Sequence, residues 1–281
     1  MTFARSMLGP SKSRADLLTA APTAPAPFLP LSGSVNLQYS SKPPVFETTM
    51  NTTPLNADFS NRAVMPPPDK SSWVASPEPG VHRHRLDRIG DEVAGATSVV
   101  RYEAGSHFER HTHGGGEEFL VLDGTFSDER GDYPAGTYVR NPPGTSHAPF
   151  SKSGCTLFVK LWQFAAGDMA PVRINTRQTA WHPGLVPGLS VMPLHEFDGI
   201  STALVRWAPN TLFNTHVHPG GEEILVLDGL FRDELGEYPA GTWLRSPRWS
   251  RHTPFTGDGG ALIYVKVGHL GADLLTPPPG L

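Results

Sequence analysis

The sequence predicts an all-β protein that consists of two tandem β-barrel domains. Three observations support this prediction: a domain-length internal repeat, short apolar runs typical of strands, and a high content of turn-forming residues. The 281 residues include 29 glycines and 29 prolines. Many short strands separated by such turns are typical of a closed barrel or sandwich, and no pattern indicates a helix of more than two turns.

Composition and charge argue against several classes of protein. The formal net charge is −4 at pH 7, and no cluster of Lys and Arg suggests a nucleic-acid partner. No apolar stretch approaches the roughly 18 residues of a membrane-spanning helix, so no membrane association is expected. The single cysteine, Cys155, cannot form an intrachain disulfide. This fits a reducing compartment, and we expect a cytoplasmic protein.

Residues 1–68 differ from the remainder in composition and predict a mostly disordered, low-complexity extension. They are rich in Ala, Pro, Ser and Thr, and their apolar residues follow neither a helical nor a strand period. The first 46 residues contain four basic side chains against one acid, Asp16. This faintly resembles an organellar transit peptide, which leaves targeting as an alternative to a plain extension or a later start at Met50 or Met65.

A long internal repeat defines the domain organisation. The segment from Thr97 to Phe150 aligns without a gap with the segment from Thr202 to Phe255, at an offset of 105 residues. A period of this length corresponds to a whole domain. We therefore predict one barrel over residues 69–172 and a second over residues 173–281.

The predicted strands occur in the same order in both repeats. An apolar run that ends in Asp-Gly begins at Glu118 and again at Glu223, and a glycine-containing hairpin follows each run. Further strands are predicted at 137–140 and 156–161 in the first repeat, and at 242–245 and 262–267 in the second.

Both repeats contain the sequence His-x-His, then a glutamate four residues later, then a third histidine about 30 residues further on. The two sets are His111, His113, Glu117 and His147, and His216, His218, Glu222 and His252. Alternate residues of a strand share one face, so each His-x-His pair can point into a barrel. Glycine- and proline-rich turns can bring the other two side chains to the same point.

Three imidazoles and a carboxylate suit a borderline divalent metal: Fe, Mn, Co, Ni, Cu or Zn. The lack of thiolates disfavours a closed structural zinc site. A lone His-x-His is commonly a surface or packed pair, but here all four ligand types recur while flanking residues vary, as where Thr112 becomes Val217. We expect one ion in each barrel, with Fe, Zn or Mn favoured.

These residues resemble the two motifs of the cupin superfamily, and the resemblance implies that each repeat folds as a jelly-roll β-barrel. The first motif matches at Gly105, His111, His113, Glu117 and Gly124, and the second at Gly136, Pro142, Gly144 and His147. The motif spacing selects Glu117 and Glu222 over the glutamates that follow them. The second repeat departs from the pattern in its turns, where Asn210 and Trp249 replace glycines.

Within the cupins, the run from Gly115 to His147 is most similar to the cupin domain of ChrR-type anti-sigma factors. The resemblance covers residues 70–281 and implies a metal-binding sensor or effector domain. In that family a helical zinc-binding domain holds the sigma factor, and residues 1–68 show no such domain, so no sigma-factor partner is expected. Similar cupins also include oxygen-dependent enzymes that cleave diketones and hydroxylated acetophenones.

Two functions from different classes are therefore compatible with the sequence. A purely structural role for the metals is a third. One is a metal-dependent oxygenase with a small-molecule substrate, and the other is a non-catalytic sensing module. For an enzyme, the first barrel is favoured because polar side chains accompany its metal ligands. The catalytic candidates are His107, Tyr102 and Tyr138, where the second repeat has Leu212, Trp207 and Trp243. The fused barrels can cover each other's sheet edges as a pseudo-dimer, and a homodimer is possible.

Overall fold

The computed structural model describes residues 54–90 and 94–271, so the predicted extension over residues 1–53 lies outside the described part. The first repeat contains β1 (Ala63–Met65), β2 (Val74–Ala75), β3 (Val81–Ile89), β4 (Gly95–Tyr102), β5 (Ser106–His107), β6 (His111–Thr112), β7 (Glu117–Asp128), β8 (Gly131–Pro134), β9 (Thr137–Asn141), β10 (Ser146–His147), β11 (Phe150–Ser151) and β12 (Cys155–Leu161). The second contains β13 (Val172–Asn175), β14 (His182–Pro183), β15 (Leu189–Phe197), β16 (Ile200–Trp207), β17 (His216–His218), β18 (Glu222–Asp233), β19 (Gly236–Pro239), β20 (Trp243–Ser246), β21 (Ser250–His252) and β22 (Phe255–Val267).

The predicted all-β class is confirmed, with two tandem jelly-roll barrels. The only helix in the described ranges is a 3₁₀ turn at Lys70–Ser72, which the Asp69 side chain caps. No helix in these ranges has the length and apolar character needed to cross a bilayer.

Each repeat forms one large antiparallel sheet and one two-stranded ribbon. The large sheets have the strand orders β13-β9-β7-β12-β4-β3-β2 and β1-β20-β18-β22-β16-β15-β14. The ribbons pair β6 with β10 in the first repeat and β17 with β21 in the second. The corresponding strands therefore pair in the same way in both halves, as expected for a duplicated domain.

The two repeats exchange their first strands. Strand β1 pairs with β20 of the second barrel, and β13 pairs with β9 of the first barrel. The sheet edges formed by β20 and β9 are thus each covered by a strand of the other repeat. This arrangement removes two unpaired edges that could pair with another chain.

The strand exchange corrects the expected boundary at residue 68. The segment from 54 to 68 belongs to the folded part of the chain, because β1 lies within it and Leu55 pairs with Arg88 in an isolated bridge. The Ala-Val-Met sequence of β1 is too short to show strand periodicity by itself. Its pairing partner lies about 180 residues further along the chain, where no local pattern could indicate it.

A second difference concerns the apolar runs that were expected to end at Asp-Gly. Strand β7 continues through Gly124 to Asp128, with a bulge opposite Thr156. Gly124 has φ 70°, and a Cβ there would collide with the backbone of Gly154. Glycine therefore bends a long strand at this point rather than ending it. Strand β18 runs through Gly229 in the same way.

Three apolar clusters account for the packing. One fills the first barrel, including Phe119 and Val121, and one fills the second, including Ile224 and Val226, as the strand alternation predicted. The third lies between the barrels and draws residues from both repeats. Its members include Leu120, Phe158, Leu225 and Tyr264, whose side chains leave the opposite face of the same strands.

Among the buried ion pairs that cross this contact between the barrels, two join a lysine to a glutamate. Lys160 Nζ lies 2.7 Å from Glu223 Oε1, and Lys266 Nζ lies 2.6 Å from Glu118 Oε2. Burial alone would raise the pKa of Glu118, but the charges of Lys266 and Arg140 outweigh it and hold that pKa well below its usual range. The carboxylates are therefore ionised at neutral pH, and their contribution to stability is lost as acid protonates them.

Replacing one partner of these pairs should destabilise the whole chain. In Lys160→Met the Glu223 carboxylate remains buried without its main countercharge, so we expect the free energy of unfolding to fall by about 3–5 kcal/mol. Chemical denaturation of the full chain measures this. The matched control is Lys152→Met at the surface, for which a change within about 0.5 kcal/mol is expected. Equal stabilities of the two variants would contradict the assigned role of the pairs.

Candidate metal centres

The two-stranded ribbon of the first barrel brings its histidines together. His111 on β6 is the direct cross-strand partner of His147 on β10, and His113 follows two residues after His111. One ring nitrogen of each of the three residues lies within 4.8 Å of the others. His113 and His147 are buried, whereas His111 is half-buried at the rim.

Glu117 joins this group from the start of β7. The chain reaches it through Gly116, whose φ of 81° provides the sharp turn that the glycine run was expected to make. Its Oε2 lies 3.4 Å from Nε2 of His113 and 3.6 Å from Nε2 of His147. Glu118 leaves the opposite face of the strand and pairs with Lys266. The motif spacing therefore selected the glutamate that lies beside the histidines.

The second barrel repeats this geometry. His216 and His252 are cross-strand partners, with their Nε2 atoms 3.2 Å apart, and Nε2 of His218 lies 3.0 Å from Nε2 of His252. Glu222 lies 3.5 Å from both His218 and His252. The structure thus brings all eight sequence-predicted ligands into two compact groups of four.

Outer hydrogen-bond partners orient several of these rings. The Nδ1 atoms of His111 and His216 lie 3.0 Å from the Glu109 carbonyl and 2.9 Å from the Asn214 carbonyl. A proton on each Nδ1 leaves Nε2 with a lone pair that points at the centre. Such outer partners fix the tautomer and ring orientation of metal-ligating histidines.

Carboxylates play the same part for the third histidine of each set. Nδ1 of His147 lies 3.3 Å from Asp128, and Nδ1 of His252 lies 3.7 Å from Asp233. Asp128 accepts a hydrogen bond of 3.0 Å from the Tyr133 hydroxyl. Each centre therefore contains a carboxylate–histidine pair of the kind that strengthens imidazole ligands.

The first group fits a metal ion. Nε2 of His113 and Nε2 of His147 are buried and form no hydrogen bond with any described residue, which is costly for a polar atom unless an ion occupies the space they face. Burial lowers the pKa of His113, and in the second group it lowers the pKa of His216 to about 4. Both rings are therefore neutral at pH 7, which is the form that binds a metal.

A cavity of about 390 Å³ adjoins the first centre. Its walls include apolar side chains such as Phe108 and Leu157, together with the polar groups of Ser98 and Tyr102. Burial, reinforced by the negative charge of Glu117, raises the pKa of Tyr102 well above its usual value. The phenol therefore stays protonated and can donate a hydrogen bond into the cavity.

The three catalytic candidates lie in different places. Tyr102 lines the cavity, whereas His107 on β5 is exposed and does not line it. Tyr138 belongs to the apolar cluster between the barrels, because on β9 its neighbour Val139 is the residue that faces the interior. Of the three candidates, only Tyr102 therefore lies on the cavity wall.

Trp162 is a cavity residue that sequence reasoning missed. It has φ 58°, a conformation that a bulky residue rarely adopts, and its indole covers Gly114 and Gly115 so closely that a Cβ on either would collide with it. The corresponding residue of the second repeat is Gly268, with φ 82°. The sequence could have indicated this residue, because the first repeat has a tryptophan at a position where the second repeat has a glycine.

Loss of one histidine from either set should remove one metal equivalent per chain. We expect two equivalents in the wild type, one in His111→Ala or His216→Ala, and none in the double variant, because each substitution removes one of the three nitrogen ligands of a centre. Elemental analysis after dialysis against the metal measures this. His107→Ala is the control and should keep both equivalents. Two equivalents in His111→Ala would refute the first centre.

Comparison with known proteins agrees with this architecture. The sequence model of the ChrR Cupin-like domain matches residues 61–165 and again residues 169–271. No functionally curated protein matches the chain. The two family matches begin just before the exchanged strands β1 and β13.

Solved structures share the fold at low sequence identity. A Nostoc punctiforme protein provisionally named a dioxygenase has a TM-score of 0.59 and 13% identity, over 80% of this chain and 85% of its own. Protein Ylba from E. coli has a TM-score of 0.58 and 17% identity, over 80% and 97%. The oxalate decarboxylase of Lactobacillus farciminis, in a formate complex, has a TM-score of 0.52 and 15% identity, over 77% and 90%. With its two family matches, the chain belongs to the ChrR Cupin-like domain family, as a protein with two such domains.

Proposed function

We propose that this chain is a metal-dependent enzyme that acts on a small oxygenated molecule in the first barrel, with dioxygenase-type chemistry favoured. The observation that supports this most directly is the cavity of about 390 Å³ beside His111 and His113. Its volume lies within the range of small-molecule sites. A metal ion held there would act as a Lewis acid toward a substrate oxygen.

The cavity residues suit a substrate with an apolar body and a few oxygen atoms. Phe108, Leu157 and Val159 form apolar walls that would exclude water from a bound molecule. Tyr102 would donate a hydrogen bond to a substrate oxygen, and Arg88 places a buried positive charge along the same wall. Apolar walls with a few convergent polar groups fix the orientation of a ligand.

The second barrel supports assignment of the chemistry to the first. Trp207 takes the position of Tyr102, and Ala203 that of Ser98, so polar groups are replaced by apolar ones. Trp207 packs edge-on against Phe231, with ring centres 5.4 Å apart. We therefore infer that the second ion would serve stability rather than turnover.

The comparisons are compatible with an enzyme and do not select a reaction. Among the solved structures with this fold are the provisionally named dioxygenase and the oxalate decarboxylase. The second name concerns oxalate, a small oxygen-rich molecule, which agrees with the chemistry of the cavity. The ChrR family match favours the second candidate, a domain in which metal and ligand binding alter stability without turnover.

Oxygen uptake by the reconstituted chain tests the proposal. Protein loaded with Fe, Mn or Zn is assayed against a panel of 1,3-diketones and hydroxylated acetophenones. We expect turnover with one metal, a loss of about 100-fold or more in kcat/KM for His111→Ala, and little change for His216→Ala. The reverse order would place the chemistry in the second barrel. Ligand binding without turnover for any metal would favour the sensing function.

Trp162→Gly should separate ligand binding from stability. The substitution copies the residue of the second barrel and relieves a strained backbone position, so we expect the thermal midpoint to change little. Loss of the indole from the cavity wall should raise KM, or the Kd of a non-turned-over ligand, by about 10-fold for an aromatic molecule. A large fall in stability with unchanged KM would show that Trp162 serves the fold alone.

A further inference from the structure

The exchanged strands carry arginines that reach the metal centre of the opposite repeat. Arg173 lies on β13, which pairs with the first barrel, and Arg62 immediately precedes β1, which pairs with the second barrel. Neither residue is a metal ligand. Each contacts the groups that orient the ligands.

At the first centre, a side-chain amide connects Arg173 to a metal-ligating carboxylate. Arg173 donates a hydrogen bond to Asn141 Oδ1, and its other guanidinium nitrogen donates to the Arg140 carbonyl at 2.8 Å. Nδ2 of Asn141 in turn donates to Glu117 Oε2 at 2.9 Å. Because the guanidinium holds the amide oxygen, the amide nitrogen is directed at the metal-ligating carboxylate.

Arg173 also approaches the partners of the third histidine. Its guanidinium carbon lies 5.6 Å from the centre of the Tyr133 ring. Tyr133 donates to Asp128, and Asp128 contacts His147. Arg173 therefore contacts the amide partner of Glu117 and the tyrosine that donates to the aspartate partner of His147.

At the second centre the connection runs through a phenol and a carboxylate. Arg62 donates to the Tyr238 hydroxyl at 2.6 Å and lies 3.4 Å from Asp233 Oδ2. Tyr238 donates to the other oxygen of Asp233 at 2.6 Å. The same aspartate contacts His252, so Arg62 fixes the group that orients that ring.

We propose that Arg173 and Arg62 are positioning residues for the metal centres, each supplied by the repeat that does not contain the centre. The inference rests on the metal binding proposed above. Guanidinium groups suit this role because their planar donors fix two acceptors in one geometry. Loss of an outer partner of a metal ligand typically costs about 10- to 100-fold in metal affinity.

Single-centre chains make the two arginines separable. His216→Ala with His252→Ala leaves the first centre, and His111→Ala with His147→Ala leaves the second. In the first background we expect Arg173→Gln to weaken Co²⁺ binding by about 10-fold, the lower end of the range for a direct outer partner, because Arg173 acts on Glu117 through Asn141. Arg62→Gln should change the same affinity by less than about twofold, because distant sites act independently. In the second background the order should reverse. Competition with a chelator measures each affinity.

Two further measurements distinguish positioning from general destabilisation. The visible absorption of bound Co²⁺ should shift with Arg173→Gln in the first background and stay constant with Arg62→Gln, since only the former disturbs that ligand set. Arg173→Lys should restore little of the affinity, because one ammonium cannot reproduce both hydrogen bonds. The exposed Arg206→Gln is the matched control and should leave both affinities unchanged.

The crossed pattern is the decisive result. If either arginine variant weakens both centres equally, or if neither variant weakens any centre, the positioning role is overturned while metal binding stands. If the single-centre chains bind no Co²⁺ at all, the metal centres themselves are refuted, and the positioning role is refuted with them. The thermal midpoint of each metal-free variant shows whether the chain is folded in every comparison.

Discussion

The reciprocal contact between the two repeats is the constraint on which the remaining structure depends. Lys160 with Glu223 and Lys266 with Glu118 place four charges in the buried contact, where each charge is stabilised by a partner from the other barrel. The exchanged strands close both sheets around this contact. On β7 and β18, the outward-facing Glu118 and Glu223 are therefore used in the contact between the barrels. The inward-facing Glu117 and Glu222 are directed at the histidines.

Local sequence predicted three of the four ligands in each set because their geometry is local, and the repeat identified the third histidine of each set. His111 and His113 are two residues apart on one strand face, and the spacing to Glu117 separated it from Glu118. The second repeat supported each assignment, because it has the same ligand types at the same spacing. The barrel class and the internal repeat followed from turn residues and strand alternation for the same reason, since both are properties of short segments.

The features that the sequence left hidden depend on contacts across long separations. Strand β1 could not be recognised, because its partner β20 belongs to the other repeat. The place of Tyr138 depended on which face of β9 meets the second barrel, and a shift of one residue reverses that assignment. The arginines Arg62 and Arg173 had no motif, since the groups they orient come from the opposite half.

Strand exchange also bears on how such a chain could arise. A lone half would leave one barrel edge open while its own first strand lacked a place to pair, so two copies would have to associate about a twofold axis. Fusion turns that encounter into an intramolecular event and removes its dependence on concentration. It also ends the requirement that both halves be identical. Trp162 in one barrel and Gly268 in the other are a divergence that a covalently joined pair permits and a homodimer does not.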